Sequence, residues 1–211
     1  SLGFYFTGTE FEVDASDSIK YHTIASELLK IYEKGGSLFI PLPIELDDYG
    51  YIYFNTMIYW LFYPSTILMR IINVFFGTLT ILIIYNYSKL LMHISKARLV
   101  AITSSLFPFF LYFTGVQMKE TLMLFSVIMT LYFSTKLIVL EKINFYNLFF
   151  AFVSMVFIFL FRYSLGVIVF LTVVSIFIFN KKTNRNVAFA FIIILGSMLL
   201  FSQVGLIDEL F

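Results

Sequence analysis

Residues 66–89 read TILMRIINVFFGTLTILIIYNYSK, and this run decides what kind of protein the chain is. Its only charges are Arg70 near the start and Lys89 at the end. Its length is close to the roughly 20 residues that a helix needs to cross the hydrocarbon of a bilayer. Five further apolar runs follow, at 97–115, 119–138, 143–161, 164–180 and 186–205. Composition agrees, with 60% hydrophobic and 13% charged residues and 28 phenylalanines in 211 positions. A soluble domain has about 45–50% apolar and about 25% charged residues. The expected fold class is therefore all-α, a polytopic membrane helix bundle of about six spans occupying residues 64–211.

Residues 1–63 are different and form the other expected unit, a partly helical flap on one face of the membrane. Nine of the 13 acidic residues fall within residues 1–50. From Asp17 to Lys34 the apolar positions recur at helical spacing, with Lys20, Glu27, Lys30, Glu33 and Lys34 between them. Ser16 or Asp17 can cap this helix, because a short oxygen-bearing side chain satisfies the free N–H groups of the first turn. Gly35-Gly36 ends it. One apolar stripe and one charged face suit a helix lying in the membrane interface. Pro41 and Pro43 break the chain, and Glu45, Asp47 and Asp48 add a second acidic cluster. Residues 51–63, YIYFNTMIYWLFY, are too short to span and rich in the aromatic residues of the headgroup level, which predicts an interfacial helix ending at Pro64.

Lysine and arginine in the short loops set the orientation. Lys89, Lys96 and Arg98 follow the first run, Lys136 and Lys142 the third, and Lys181, Lys182 and Arg185 the fifth. These are alternate loops, so they share a side, and the positive-inside rule makes that side cytoplasmic. The flap, the short connections at 115–119 and 161–164 and the C-terminus then lie outside. A multi-pass plasma or inner membrane protein with an extracytoplasmic working face is the expectation.

Arg70, Lys119, Glu120 and Arg162 are left over, and in this topology all four lie at the outer face, beneath the acidic flap. A charge at mid-bilayer costs about 2.5–3.5 kcal/mol or more, and less near the edge. Several at one level imply a shared polar pocket, whose cations could hold a phosphate. Plainer roles stand beside this one. Span-end cations snorkel to headgroups, Lys119 and Glu120 can neutralise each other, and Asp17 can serve as a cap. Asp14 competes with Asp17 for any catalytic role. His93 reads as an ordinary loop residue and Asn73 as an interhelical hydrogen-bonding group. The absence of cysteine excludes disulfides and thiolate metal sites, and two histidines far apart do not make a zinc site.

The stretch Asp17-x-x-x-Tyr21-x-x-x-Ala25 resembles the first-outer-loop motif of the GT-C superfamily of glycosyltransferases, including its protein-mannosyltransferase-like and aminoarabinose-transferase-like branches. Gly50-Tyr51 and the aromatic helix continue the likeness. Arg70-Ile71-Ile72-Asn73-Val74 is similar to the family's Arg-Leu/Ile-x-Asn stretch, Leu106-Phe107-Pro108 to its Leu-Phe-Pro element, and Met118-Lys119-Glu120 to its basic–acidic pair. The resemblance covers nearly the whole chain through short, degenerate motifs. It departs at Ser18, where many members carry a second carboxylate. It implies a membrane enzyme that moves a sugar from a polyprenyl-phosphate donor to an acceptor hydroxyl on a glycan, lipid or protein. Asp17 would be the base, with Arg70, Lys119 and Arg162 on the phosphate and Glu120 as pocket carboxylate or orienter of a cation. Tyr21 and His22 would line the acceptor side. No cofactor is called for; Asp14, Asp47 and Asp48 leave a divalent metal open without fixing a ligand geometry, and nothing points to nucleic acid. The family's first span would precede residue 1, so the chain is expected to be a piece of a longer protein. An O-antigen polymerase or ligase would place its large outer loop late in the chain. A lipid-glycan flippase would show mid-span ionisable residues and helices broken at matching places.

Overall fold

The structure, a computed structural model, describes Phe11 and residues 16–36, 46–139 and 144–179, without the side chains of residues 46–48, 138–139 and 177–179. Among these the chain is all-helical, with eight helices and no strand. Residues 12–15 with Asp14, Glu45, the expected run at 186–205 and the basic loop at 181–185 lie outside the described residues.

Helix α1, Ser16–Glu33, stops where its sequence dictates. Gly35 takes φ +84, its N–H bonds Tyr32 O at 2.9 Å, and the N–H of Gly36 bonds Ile31 O at 3.0 Å. This pair of bonds closes the helix around a left-handed glycine. Asp17 lies inside the first turn, one residue past the helix start at Ser16, so it is not the cap. A carboxylate there is favoured by the helix dipole. Helix α2, Leu46–Leu61, begins five residues earlier than the aromatic run suggested and takes in Asp47 and Asp48. Its C-terminal end leaves Phe62 and Tyr63 70% and 72% exposed.

Helix α3, Thr66–Leu91, is capped by Ser65, whose hydroxyl accepts from the N–H of Leu68. Its pattern is inverted relative to a soluble helix. Thr66, Asn73, Gly77, Thr80 and Ser88 are buried, while Ile67, Ile71, Val74 and Phe75 are exposed. Small and polar residues pack inward and large apolar ones face out, as expected where the surroundings are hydrocarbon. With 26 residues, at about 1.5 Å each, it exceeds the roughly 30 Å apolar thickness of a bilayer.

The next run was expected to be one span at 97–115. It is instead two helices, α4 (Ile94–Ser105) and α5 (Pro108–Gly115), bent by 57° at Leu106 and Phe107. Pro108 has no N–H to give and sits at the first position of α5, where none is needed. His93 has a local job, since its ring nitrogen accepts from the N–H of Ser95 and caps α4. Helices α6 (Glu120–Val139), α7 (Phe145–Phe161) and α8 (Tyr163–Phe179) complete the order, with Arg162 alone between the last two. Among the described helices α3 is long and apolar enough to cross a membrane, and the bent α4–α5 pair makes a second if counted as one broken span. Helices α7 and α8 are apolar but shorter, at 17 residues each.

α1 packs on α2, α2 on α7, and α3 against α4, α5 and α6; α6 packs along α7, and α7 against α8. Gly50 makes the α2–α7 contact, because a Cβ there would collide with the Leu160 carbonyl. Two apolar clusters result. One lies between α6, α7 and α8 around Phe133, Met155 and Phe170. The other joins α1 and α2 to the bundle through Tyr21, Leu28, Tyr51, Met69, Met123 and Phe161.

Candidate functional site

The short connection between α5 and α6, residues 116–119, is where the flap helices meet the bundle. Asn73 on α3 donates both amide hydrogens to it, to Val116 O at 2.6 Å and to Met118 O at 3.0 Å. From α1, the Ser18 hydroxyl donates to Gln117 O at 3.1 Å. The Gln117 side chain donates to the Tyr59 hydroxyl of α2 at 2.9 Å, and Tyr59 in turn meets His22 Nδ1 at 2.8 Å. Thr121 closes the other side with a 2.9 Å bond to Phe113 O. Three helices thus hold three consecutive residues, Val116 to Met118.

Burial pushes the Tyr59 phenol up to about 12, with the Gln117 hydrogen bond pulling the other way. It stays protonated at any physiological pH. Because its oxygen already accepts from Gln117, the arrangement that uses each proton once has Tyr59 donating to His22 Nδ1, with the ring proton on Nε2. Phe11 stands edge-on to the same imidazole, with centroids 5.9 Å apart.

The held turn delivers two charges. Lys119, only 9% exposed, ends it, and Glu120 opens α6. Lys119, Asp17 and Arg162 all act through space on the Glu120 carboxyl. Four of the residues singled out from sequence, on α1, the turn, α6 and the α7–α8 link, therefore share one neighbourhood. Arg162 is exposed there, and its N–H caps α7 through Ile158 O at 2.8 Å. Arg70 is half-buried on α3, three residues before Asn73 and on the same side of the helix. Tyr21 sits differently from the rest. It is 2% exposed, edge-on to Tyr51 with centroids 4.9 Å apart, and belongs to the apolar core beneath the flap.

Glu120 also lines a cavity of about 450 Å³, within the range of about 300–1,000 Å³ typical of small-molecule sites. Its other walls are Thr121 and a set of apolar side chains, chiefly Phe107, Phe110, Phe113, Leu124 and Leu165. The bend at Leu106 and Phe107 swings the α5 phenylalanines against α6 and so makes this space. The cavity is apolar apart from Thr121 and the Glu120 carboxyl, on which two cations act. No family model, curated protein or solved structure matches this chain. Among the described residues no three of His, Cys, Asp and Glu gather as a metal would need; Asp14 and the side chains of Asp47 and Asp48 lie outside that set.

Tyr59 and Gln117 escaped the sequence reading, which makes Asn73 an interhelical hydrogen-bonding group without its target, the turn at 116–118. The one available signal was Gln117 itself, a glutamine in a four-residue link between two apolar runs.

Proposed function

We propose that the chain is the core of a multi-pass membrane glycosyltransferase of the GT-C type, acting at the extracytoplasmic face of a plasma or inner membrane. α3, the broken α4–α5 pair, α6, α7 and α8 would each cross the bilayer, with 186–205 as the sixth span. Lys89, Lys96, Arg98 and Lys136 stand at the helix ends opposite Glu120 and Arg162, which supports the orientation. One observation carries the functional reading: charges of both signs gather at Glu120, at the end of an apolar cavity. That is the shape of an amphipathic donor, with phosphate at the charged end and isoprenoid tail in the chamber.

In the reaction, the acceptor hydroxyl passes its proton to the Asp17 carboxylate as its oxygen bonds the anomeric carbon. The bond from that carbon to the donor phosphate breaks, and polyprenyl phosphate leaves with the electron pair. Lys119 and Arg162, with Arg70 on α3, neutralise the departing charge, a stabilisation that needs no cofactor. Glu120 orients the lysine beside it, and His22 lies on the acceptor side, held by Tyr59.

The bend in α4–α5 favours a second reading, a lipid-glycan flippase, because broken helices mark transporter sites. Proteoliposomes loaded with polyprenyl-phosphate sugars separate the two. The enzyme releases free polyprenyl phosphate when acceptor is added, and Asp17→Asn lowers that release by about a hundredfold, the scale of losing a general base. Lys119→Met lowers it as well. Movement of intact lipid-sugar across the bilayer with no release would establish the flippase and remove the transferase.

A further inference from the structure

The cavity at Glu120 has a neighbour. A second one, of about 360 Å³, lies along the same broken helix and is lined by Ile81, Ile84, Thr103 and Ser104. Phe107, Phe110 and Leu124 line both cavities and stand between them. Phe107 and Phe110 stand three residues apart, on either side of Pro108, at the start of α5. Leu124 faces them from α6. Gly77 on α3 lets α5 approach closely, since a Cβ there would collide with the Thr114 side chain, and the Phe110 ring is in ordinary contact beside it.

We propose that Phe107, Phe110 and Leu124 determine which tail length the site accepts. The inference rests on the lipid-phosphate reading above. The polar end is fixed by Glu120, with Lys119 and Arg162 acting beside it, and the rest of the lining is apolar apart from Thr121. A prenyl phosphate therefore enters with its head toward Lys119 and Arg162, at the Glu120 end, and its tail toward the wall. Along α6 the wall residue Leu124 stands four residues from Glu120, about 6 Å at the helical rise. A short prenyl tail fills that length. A longer one meets the two rings and Leu124 and must turn out of the groove. The second chamber lies unused behind them.

Removing part of the wall joins the chambers and lets a longer tail bury more of itself, at about fourfold in affinity for each methylene buried. The test uses protein in nanodiscs and competition between farnesyl phosphate and the one-isoprene-longer geranylgeranyl phosphate, with farnesol as the uncharged control. In the native protein the two phosphates bind within about threefold of each other, less than one further buried methylene would give. In Phe107→Ala, whose side chain is mostly exposed and so tolerates truncation, and in Leu124→Ala, the longer phosphate gains roughly tenfold relative to the shorter, the yield of one to two methylenes. An unchanged ratio in both variants, with both ligands still bound, overturns the wall. Failure of the native protein to bind either phosphate, or farnesol binding as tightly as farnesyl phosphate, overturns instead the lipid-phosphate reading beneath it.

Discussion

Replacing Asn73 with leucine keeps the bulk of the side chain and removes the fork that holds residues 116–119. Two hydrogen bonds go, at 2.6 and 3.0 Å, both to backbone carbonyls. Each is worth about 0.5–1.5 kcal/mol net by soluble-protein standards, and about 0.6 kcal/mol on average between membrane helices. The direct loss is therefore about 1–3 kcal/mol. The Val116 carbonyl keeps the N–H of Met118 at 3.1 Å, so the further cost of a buried carbonyl left without a donor, about 1–3 kcal/mol, falls on the part-buried Met118 O alone. One effect opposes these. The Asn73 amide oxygen is buried with no hydrogen bond among the described residues, so leucine also removes a desolvated acceptor. One acceptor relieved does not offset two bonds and one carbonyl, and Asn73→Leu should destabilise the protein by about 1–3 kcal/mol. Equilibrium unfolding in mixed detergent and dodecyl sulfate micelles measures this. Asn73→Asp is the sharper variant, because it keeps the shape but aims a carboxylate at two carbonyl oxygens, and it should cost at least as much. On the proposed transferase reading, turnover should fall further than stability alone explains, since Lys119 and Glu120 follow directly on the turn. If both variants unfold like the native protein, the fork does not hold the turn and Asn73 has no part in supporting the site.

The raised Tyr59 phenol makes a pH prediction. The unfolded chain loses that proton near pH 10.0 and the folded chain near 12, so the unfolded state binds fewer protons between them and stability falls as pH rises through that window. The loss is up to about 2.7 kcal/mol at about 1.36 kcal/mol per pKa unit, and Tyr59→Phe should lack that component in a pH series of unfolding curves. Asn147 on α7 is 1% exposed with neither amide atom hydrogen-bonded among the described residues. Asn147→Leu should accordingly leave stability unchanged or raise it, and a drop of about 1 kcal/mol or more would reveal a partner at that amide. Gly50→Ala forces a methyl into the Leu160 carbonyl and should cost about 1–3 kcal/mol, the range for overpacking; native-like unfolding would mean that α2 and α7 are not in such close contact.

Local chemistry was legible in the sequence and distant pairing was not. Gly35-Gly36 announced the end of α1 because a left-handed cap is decided by the residues that form it. The charges at Asp17, Lys119, Glu120 and Arg162 could be grouped because each stood out against an apolar background. The bend at Leu106 and Phe107 was hidden, although Thr103-Ser104-Ser105 stand just before it, since a proline inside a largely apolar run can kink a span or begin a new helix. The cavity was hidden with it. Tyr59 and Gln117 looked like one more aromatic and one more loop amide, and their bond spans 58 positions that no periodicity connects. Tyr21 shows the converse. A motif position suggested a ligand-facing role, whereas its ring is committed to the packing of α1 on α2.

The anchoring of the flap on residues 116–119 has a consequence for how the protein is made. Ser18 bonds a carbonyl 99 residues further along the chain, and Asn73 one that is 43 residues on. At a synthesis rate of about 5–20 residues per second, α1 must wait roughly 5–20 s for its docking point to be translated. During that interval α1 and α2 have only each other, and the small polar face of α3 has no partner turn. The site is therefore among the last parts to close, and until it does the newly made α1 and α2 are exposed to proteases and to mispairing with neighbouring chains.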